Sequence, residues 1–237
     1  MSRSTQSKRA MPLLGSAAML LSFDVDPDAI AEHDRWHTHE HLPERLSVPG
    51  FLRGTRWVAT GEGPRYMVVY EVESLATLAS PGYLARLNDP TPWTTRMMPR
   101  YRGMRRGLCA VLGSFGRGLG GVAGLVRFTP SAANAEQAHR WLLDDALPAL
   151  PNASGVGSAH LLQGAQAAAM TNEQRIRGAD GGVDSAVIVT GYDADAVADQ
   201  ALRTAGGLAT SGASDVSFAA YRCAYSLSAA DLQRGRK

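Results

Sequence analysis

Apolar and polar positions divide the chain into two halves that read alike. "AAMLLSFDV" (17–25) is an apolar run of strand length. Asp26 and Pro27 follow as an N-cap and a first-turn proline and predict a helix to about His41, stopped by Pro43. "GFLRGTRWVAT" and "RYMVVYEVE" flank the turn "GEGP" and read as a hairpin. "LATLASPGYLARLN" predicts a helix bent near Pro81 and Gly82. After the connector "DPTPWTTRMMP", the run "GMRRGLCAVLGSF" predicts a fourth strand.

The second half repeats this order. "GVAGLVRFT", "GVGSAHLLQG", "DSAVIVTGYD" and "VSFAAYRCAYSLS" read as strands, with "SAANAEQAHRWLLDDALP" and "ADAVADQALRTAG" as helices between them. "RWHTHEHLP" (35–43) aligns with "RWLLDDALP" (140–148) at a constant offset of 105, keeping Arg, Trp, an acid, Leu and Pro in register. Each half is then a βαββαβ unit of the ferredoxin-like type, an α+β arrangement whose sheet needs a cover on its open face. Two such sheets in one chain can cover each other. The expected organisation is a flexible tail (1–13), a first repeat (14–115), a glycine-rich link (116–120), a second repeat (121–228) and a C-terminal tail (229–237).

Composition narrows the functional classes. A net charge of +2 over 237 residues makes no general case for nucleic acid or membrane as a partner. The one concentrated basic run is "RMMPRYRGMRR", with Arg96, Arg100, Arg102, Arg105 and Arg106; it reads as a solvated face or as a rim that attracts a negatively charged substrate. Cys109 and Cys223 form no CxxC pair or zinc spacing and read as reduced, buried thiols of a cytoplasmic protein. The basic and then apolar N-terminus resembles a secretory signal, but cleavage there would remove the first strand. A monomer is expected, or a homodimer through an outer sheet edge.

The chemistry concentrates in "HDRWHTHEHLPERL" (33–46), which holds four of the six histidines. His37, Glu40 and His41 match the H-x-x-E-H pattern of one zinc-peptidase group, but a helix stopped at Pro43 lacks that group's context. On a helical wheel Ile30, His33, Trp36, His37, Glu40 and His41 share one side, opposite Glu32, Arg35 and His39. The second copy is an internal control, since it places Ala138, Leu142 and Ala146 where the first has His33, His37 and His41. Packing alone therefore does not require these imidazoles. His33 and His39 read as structural. His41 reads as a general base or acid with Glu40 as its orienting partner, although Trp36 and Glu40 recur as Trp141 and Asp145 and so also read as anchors. No metal is expected; if one binds, His37 and His41 would share it.

"WHTHEHLPERLSVPGFLRGTRWVA", "PRYMVVYEVES" and "NDPTPWTTRMMP" resemble the EthD-like branch of the dimeric α+β barrel superfamily. The resemblance covers most of residues 36–99, and only the Trp-Leu-Pro frame extends to the second half. It implies an intramolecular barrel of two tandem repeats, with a cavity between sheet and helices and His41 at its wall. The strands offer the lining: Tyr66 and Tyr70 share a face with Val68 and Val72, while Phe51, Arg53, Thr55 and Trp57 oppose Leu52, Gly54, Arg56 and Val58. Either Arg53 or Arg56 points inwards. Trp36, His37, Trp93, Arg96 and Met97 complete the expected substrate contacts. The leading expectation is an enzyme without cofactor that moves a proton on a small apolar carbonyl, enol or phenolic compound, as an isomerase, cyclase or lyase, with Tyr66 or Tyr70 donating to an oxyanion; monooxygenase chemistry on a phenol is a variant. The alternatives are a non-catalytic small-ligand-binding or accessory protein, and a haem- or metal-binding oxidative enzyme.

Overall fold

The structure, a computed structural model, describes residues 12–165 and 170–234, so most of the 1–13 tail and the last three residues of the 229–237 tail lie outside the described residues. The first half runs β1 (Ala17–Val25), α1 (Ile30–Trp36), a π-helical turn (His37–His41), α2 (Leu42–Leu46), β2 (Phe51–Ala59), β3 (Tyr66–Val72), α3 (Pro81–Asn88), α4 (Pro92–Met97) and β4 (Tyr101–Gly116). The second runs β5 (Val122–Thr129), α5 (Ala135–Arg140), a second π-helical turn (Trp141–Ala146), α6 (Leu147–Ala149), β6 (Val156–Ala165), α7 (Asn172–Arg177), β7 (Ser185–Gly191), α8 (Ala194–Thr210), β8 (Ser214–Ser228) and α9 (Ala229–Arg234).

Within the halves the strand orders are β4-β1-β3-β2 and β8-β5-β7-β6. Antiparallel pairing of β2 with β8 and of β4 with β6 joins them into one closed eight-stranded barrel. The outer edge expected to be open to a homodimer does not exist, because closure gives every strand two partners. The repeat is metrically close. β1 and β5 begin 105 residues apart, as do β2 and β6. Each of the latter follows a left-handed glycine, Gly50 at φ +90 and Gly155 at φ +88.

Side-chain alternation sorts the core into three layers. Met19, Leu21, Phe23, Tyr66, Val68 and Tyr70 face the helices of the first half. Leu20, Trp57, Met67, Val69, Leu125 and Ile188 fill the barrel. Val126, Phe128, Leu142, Leu147, Val187 and Val197 form the sheet–helix layer of the second half. The barrel layer also takes Leu13, whose N–H donates to Ser114 Oγ at 3.2 Å, so the described end of the expected N-terminal tail is packed core. The expected C-terminal tail begins as α9, where Asp231 accepts from the Ser228 N–H and Leu232 packs on the first layer.

One sequence expectation about the first helix fails for an identifiable reason, and a second holds in position only. Pro43 does not end it. Proline in an α-helix loses a hydrogen bond and drives its ring at the carbonyl four residues back. Here the Leu42 N–H bonds the His37 carbonyl, five residues back, and this wider turn lets the helix run on to Leu46. The Leu147 N–H bonds Leu142 in the same way before Pro148. Because both halves carry the π turn, it belongs to the Leu-Pro frame and not to the histidines. Asp26 takes the expected N-cap position, with Pro27 in the first turn and the Ala29 N–H bonded to the Asp26 carbonyl, but its carboxylate makes no capping bond and instead takes Arg102 at 2.8 Å and Arg100 at 3.3 Å.

Candidate functional site

A cavity lies between the outer face of β1, β3 and β4 and the helices of the first half. Its floor is apolar, from Met19, Leu21, Phe23 and Val68, and its polar wall brings together His37, His41, Arg45, Tyr70, Tyr101 and Arg106. The water-accessible space is about 30 Å³, room for roughly two waters. In the second half Leu142 and Leu147 pack in the corresponding sheet–helix layer.

The helix positions the imidazoles by spacing: His33, His37, His41 and Arg45 recur every four residues, and all four are buried while His39 is exposed. His33 is satisfied, with Nδ1 3.4 Å from Asp34 Oδ1 and Nε2 3.2 Å from the Tyr101 hydroxyl. His37 and His41 differ. Their Nδ1 atoms are buried with no partner, and the one side-chain contact of His37 Nε2 is a long 3.5 Å approach to the Tyr70 hydroxyl. The His41 ring lies on Trp36 at 4.3 Å between centroids. Burial, reinforced by neighbouring cations including Arg45, holds both imidazoles well below the usual histidine pKa, so they are neutral. Burial raises the Tyr70 and Tyr101 hydroxyls, which therefore remain proton donors.

The cavity is roofed from the other half. α7 crosses from the β6–β7 connection and places Glu173, Gln174 and Arg177 over it. Glu173 accepts from Arg45 Nη2, both side chains being almost wholly buried, and Glu44 lies 3.3 Å from Nη1 of the same guanidinium. Arg177 pairs with Asp180 at 2.6 Å, and Asn172 Nδ2 donates to the Asn88 carbonyl at 2.7 Å, fixing α7 to α3.

Of the expected residues, His37, His41 and Tyr70 meet at this cavity. Glu40 does not orient His41; its Oε1 accepts from Trp36 Nε1 at 3.1 Å and Thr91 Oγ1 at 2.6 Å, which anchors the connector to the helix. Trp36 is the buried backing of His41, not a lining residue. Tyr66 donates to Asp34 Oδ1 at 2.8 Å and stands outside the cavity, and Arg56 turns to the same aspartate, 3.6 Å away. Arg53 points into the barrel and pairs with Glu71 at 2.6 Å. A bulge between Phe51 and Arg53 turns Phe51 to the helix side, so these two do not share the face that strict alternation assigns them. Trp93 donates to Glu32 on the outer side of α1, Arg96 folds back to the Pro92 carbonyl, and Met97 is plain core. Asp145, the counterpart of Glu40, is exposed. Cys109 is a buried free thiol and Cys223 a half-buried one.

Arg45, Tyr101, Glu173 and Arg177 were not among the expected site residues. Arg45 continues the His37–His41 spacing but falls beyond Pro43, where the helix was expected to stop. A second signal lies in connection lengths: residues 60–65 join β2 to β3, whereas residues 166–184 join β6 to β7, and the surplus contains α7.

The chain superimposes on an anthrone oxidase-like protein with a TM-score of 0.65 at 11% identity, covering 92% of this chain and 96% of that one. The shared fold is a dimeric-type α+β barrel of eight antiparallel strands. A candidate monooxygenase from Fusobacterium nucleatum subsp. nucleatum matches with a TM-score of 0.60 at 9% identity over 91% and 95% of the two chains. A chlorite dismutase variant from Candidatus Nitrospira defluvii matches with 0.54 at 11% over 93% and 95%. No family model and no curated protein matches the sequence. At these identities the likeness to other α+β barrels carries the fold alone. Among the described residues no helix is long and apolar enough to cross a membrane.

This cavity does not suit a macrocycle, since its water-accessible space is only about 30 Å³ and the Arg45–Glu173 pair occupies its wall. Nor do the imidazoles form a full metal-ligand set: among the described residues no third His, Cys, Asp or Glu joins His37 and His41.

Proposed function

We propose that this protein is an enzyme that moves a proton on a small, mainly apolar carbonyl, enol or phenolic compound held against the first-half sheet, without an organic cofactor. One observation carries the reading: two neutral, buried imidazoles, His37 and His41, line a cavity with their Nδ1 atoms unpartnered. A buried polar atom left without a partner costs stability, and where two of them line one cavity a catalytic or ligand-binding role accounts for both. His41 acts as the proton acceptor, being neutral at ordinary pH. Tyr70 donates to the oxygen on which charge develops. Glu40 and Trp36 act as positioning residues that fix the helix and back the His41 ring.

The same geometry supports a second reading, a small-ligand-binding protein without turnover, since the orphan nitrogens call for a hydrogen-bonding ligand whether or not a proton moves. The EthD-like affinity of the first half and a cytoplasmic location belong to the proposal as well. Exchange of acidic C–H protons, followed by NMR in D₂O over a panel of β-diketones, phenols and their carboxylate-bearing analogues, separates the readings. The enzyme reading requires protein-dependent exchange that is lost in His41→Ala, whereas binding without exchange across the panel supports the binding protein.

A further inference from the structure

Glu173 is a carboxylate from the second half seated in the wall of a first-half cavity, against the most deeply buried cation there. Three facts make its position a matter for the ligand. The space left beneath α7 is about 30 Å³, too small for a ring-sized compound, so such a ligand enters only if part of the wall moves. The barrel strands are locked by pairing on both sides, while α7 is a short helix tied to the first half through Arg45–Glu173, Asn172–Asn88 and Arg177 Nη1 to Met98 Sδ, with backbone anchorage to β4 beyond its end, where Gly181 bonds Met104 and Arg106. When α7 lifts, the Nη2 edge of Arg45 loses its acceptor, because Glu44 serves Nη1. An arginine cannot shed its proton, so the freed edge needs another anion.

We infer that the ligand of this cavity is a small organic acid whose carboxylate replaces Glu173 at Arg45, and that α7 is a self-occupying strap competing for the same guanidinium. The inference rests on the proposed use of the His37–His41 cavity. It adds the substrate's charge and names a residue of the other half as its competitor. The exchange swaps one carboxylate for another at a buried cation, which a neutral ligand cannot do without leaving the cation unpaired.

The test compares benzoate with benzamide, equal in shape and different in charge, by calorimetric titration of the full chain. Benzoate should bind at least tenfold more tightly than benzamide. Glu173→Gln keeps the shape of the strap but removes its charge and should tighten benzoate at least tenfold. Saturating benzoate should raise hydrogen exchange in residues 172–177 of the unsubstituted protein. Arg45→Gln should abolish the preference for benzoate; if that variant does not fold, the Glu173 variant and the exchange data decide alone. Equal affinity for the two probes, unchanged or weaker benzoate binding in Glu173→Gln, or an α7 that stays protected at saturation would overturn the inference. The proposed chemistry fails separately: the contrast between benzoate and benzamide is read by binding to the unsubstituted protein, so proton exchange retained in His41→Ala overturns the proposed chemistry and leaves the carboxylate site standing.

Discussion

The indole N–H of Trp36 donates to Glu40 at 3.1 Å while its ring carries His41 at 4.3 Å, so one tryptophan separates the acid from the imidazole that neighbours it in sequence. The Glu-His pair is adjacent in the chain yet is not a dyad. Glu40 faces Thr91 and the connector, and His41 faces the cavity, because successive helical positions diverge by about a quarter turn. The roles of the two residues therefore separate in experiment.

His41→Ala should lower turnover by about 10²-fold or more. It should cost about 1–2 kcal/mol of stability, from the lost ring stacking and a small cavity. The second half accommodates Ala146 at the same position. Asp145→Ala, on the exposed counterpart of Glu40, should stay within about 0.5 kcal/mol of the parent protein. Paired thermal melts and rate measurements check both; a functional loss in the Asp145 variant equal to that of His41→Ala would contradict the assignment of the site to the first half.

Glu40→Gln removes the charge from two hydrogen bonds, one with Trp36 and one with Thr91, and should destabilise by about 1–2 kcal/mol. Its pH–rate profile should keep the parent's shape. A displaced acid limb would instead place Glu40 in electrostatic contact with the base.

Acid stability follows from the buried histidines. Burial, the dominant cause for each, lowers His33, His37 and His41 below 6.5 and takes His160 down to about 3. Near pH 6 the unfolded chain binds protons that the folded chain does not, so stability is fully present above about pH 6.5 and is lost as pH falls from there towards the folded values. The slope reaches up to about 1.4 kcal/mol per pH unit for each group. Melting temperatures should be nearly level from about pH 8 to 7 and drop steeply below about 6.5, with a shallower drop in His37→Leu. A profile flat to pH 5 would show that these imidazoles are not held neutral.

The chain should be monomeric in solution, since β2–β8 and β4–β6 pairing inside one molecule uses the strand edges through which a single repeat would associate. Sedimentation equilibrium at micromolar concentration checks this. A stable dimer would require an interface on the helical faces.

The sequence by itself determined the two βαββαβ units, the Trp-Leu-Pro frame common to both and the replacement of packing residues by His33, His37 and His41 in one copy. These are legible because they depend on local periodicity and on a repeat that supplies its own comparison. Tertiary structure decided what the periodicity leaves open. Strand alternation shows that Arg53 and Phe51 lie two residues apart but not that a bulge turns Phe51 to the helices and leaves Arg53 on Glu71 inside the barrel. Local rules stop a helix at Pro43, whereas packing against the sheet carries it through a π turn and brings Arg45 to the cavity. The partner of Arg45 is Glu173, 128 positions away. No periodicity within either half points to that pair, because it forms only when barrel closure lays the long β6–β7 connection of one repeat across the open helical layer of the other.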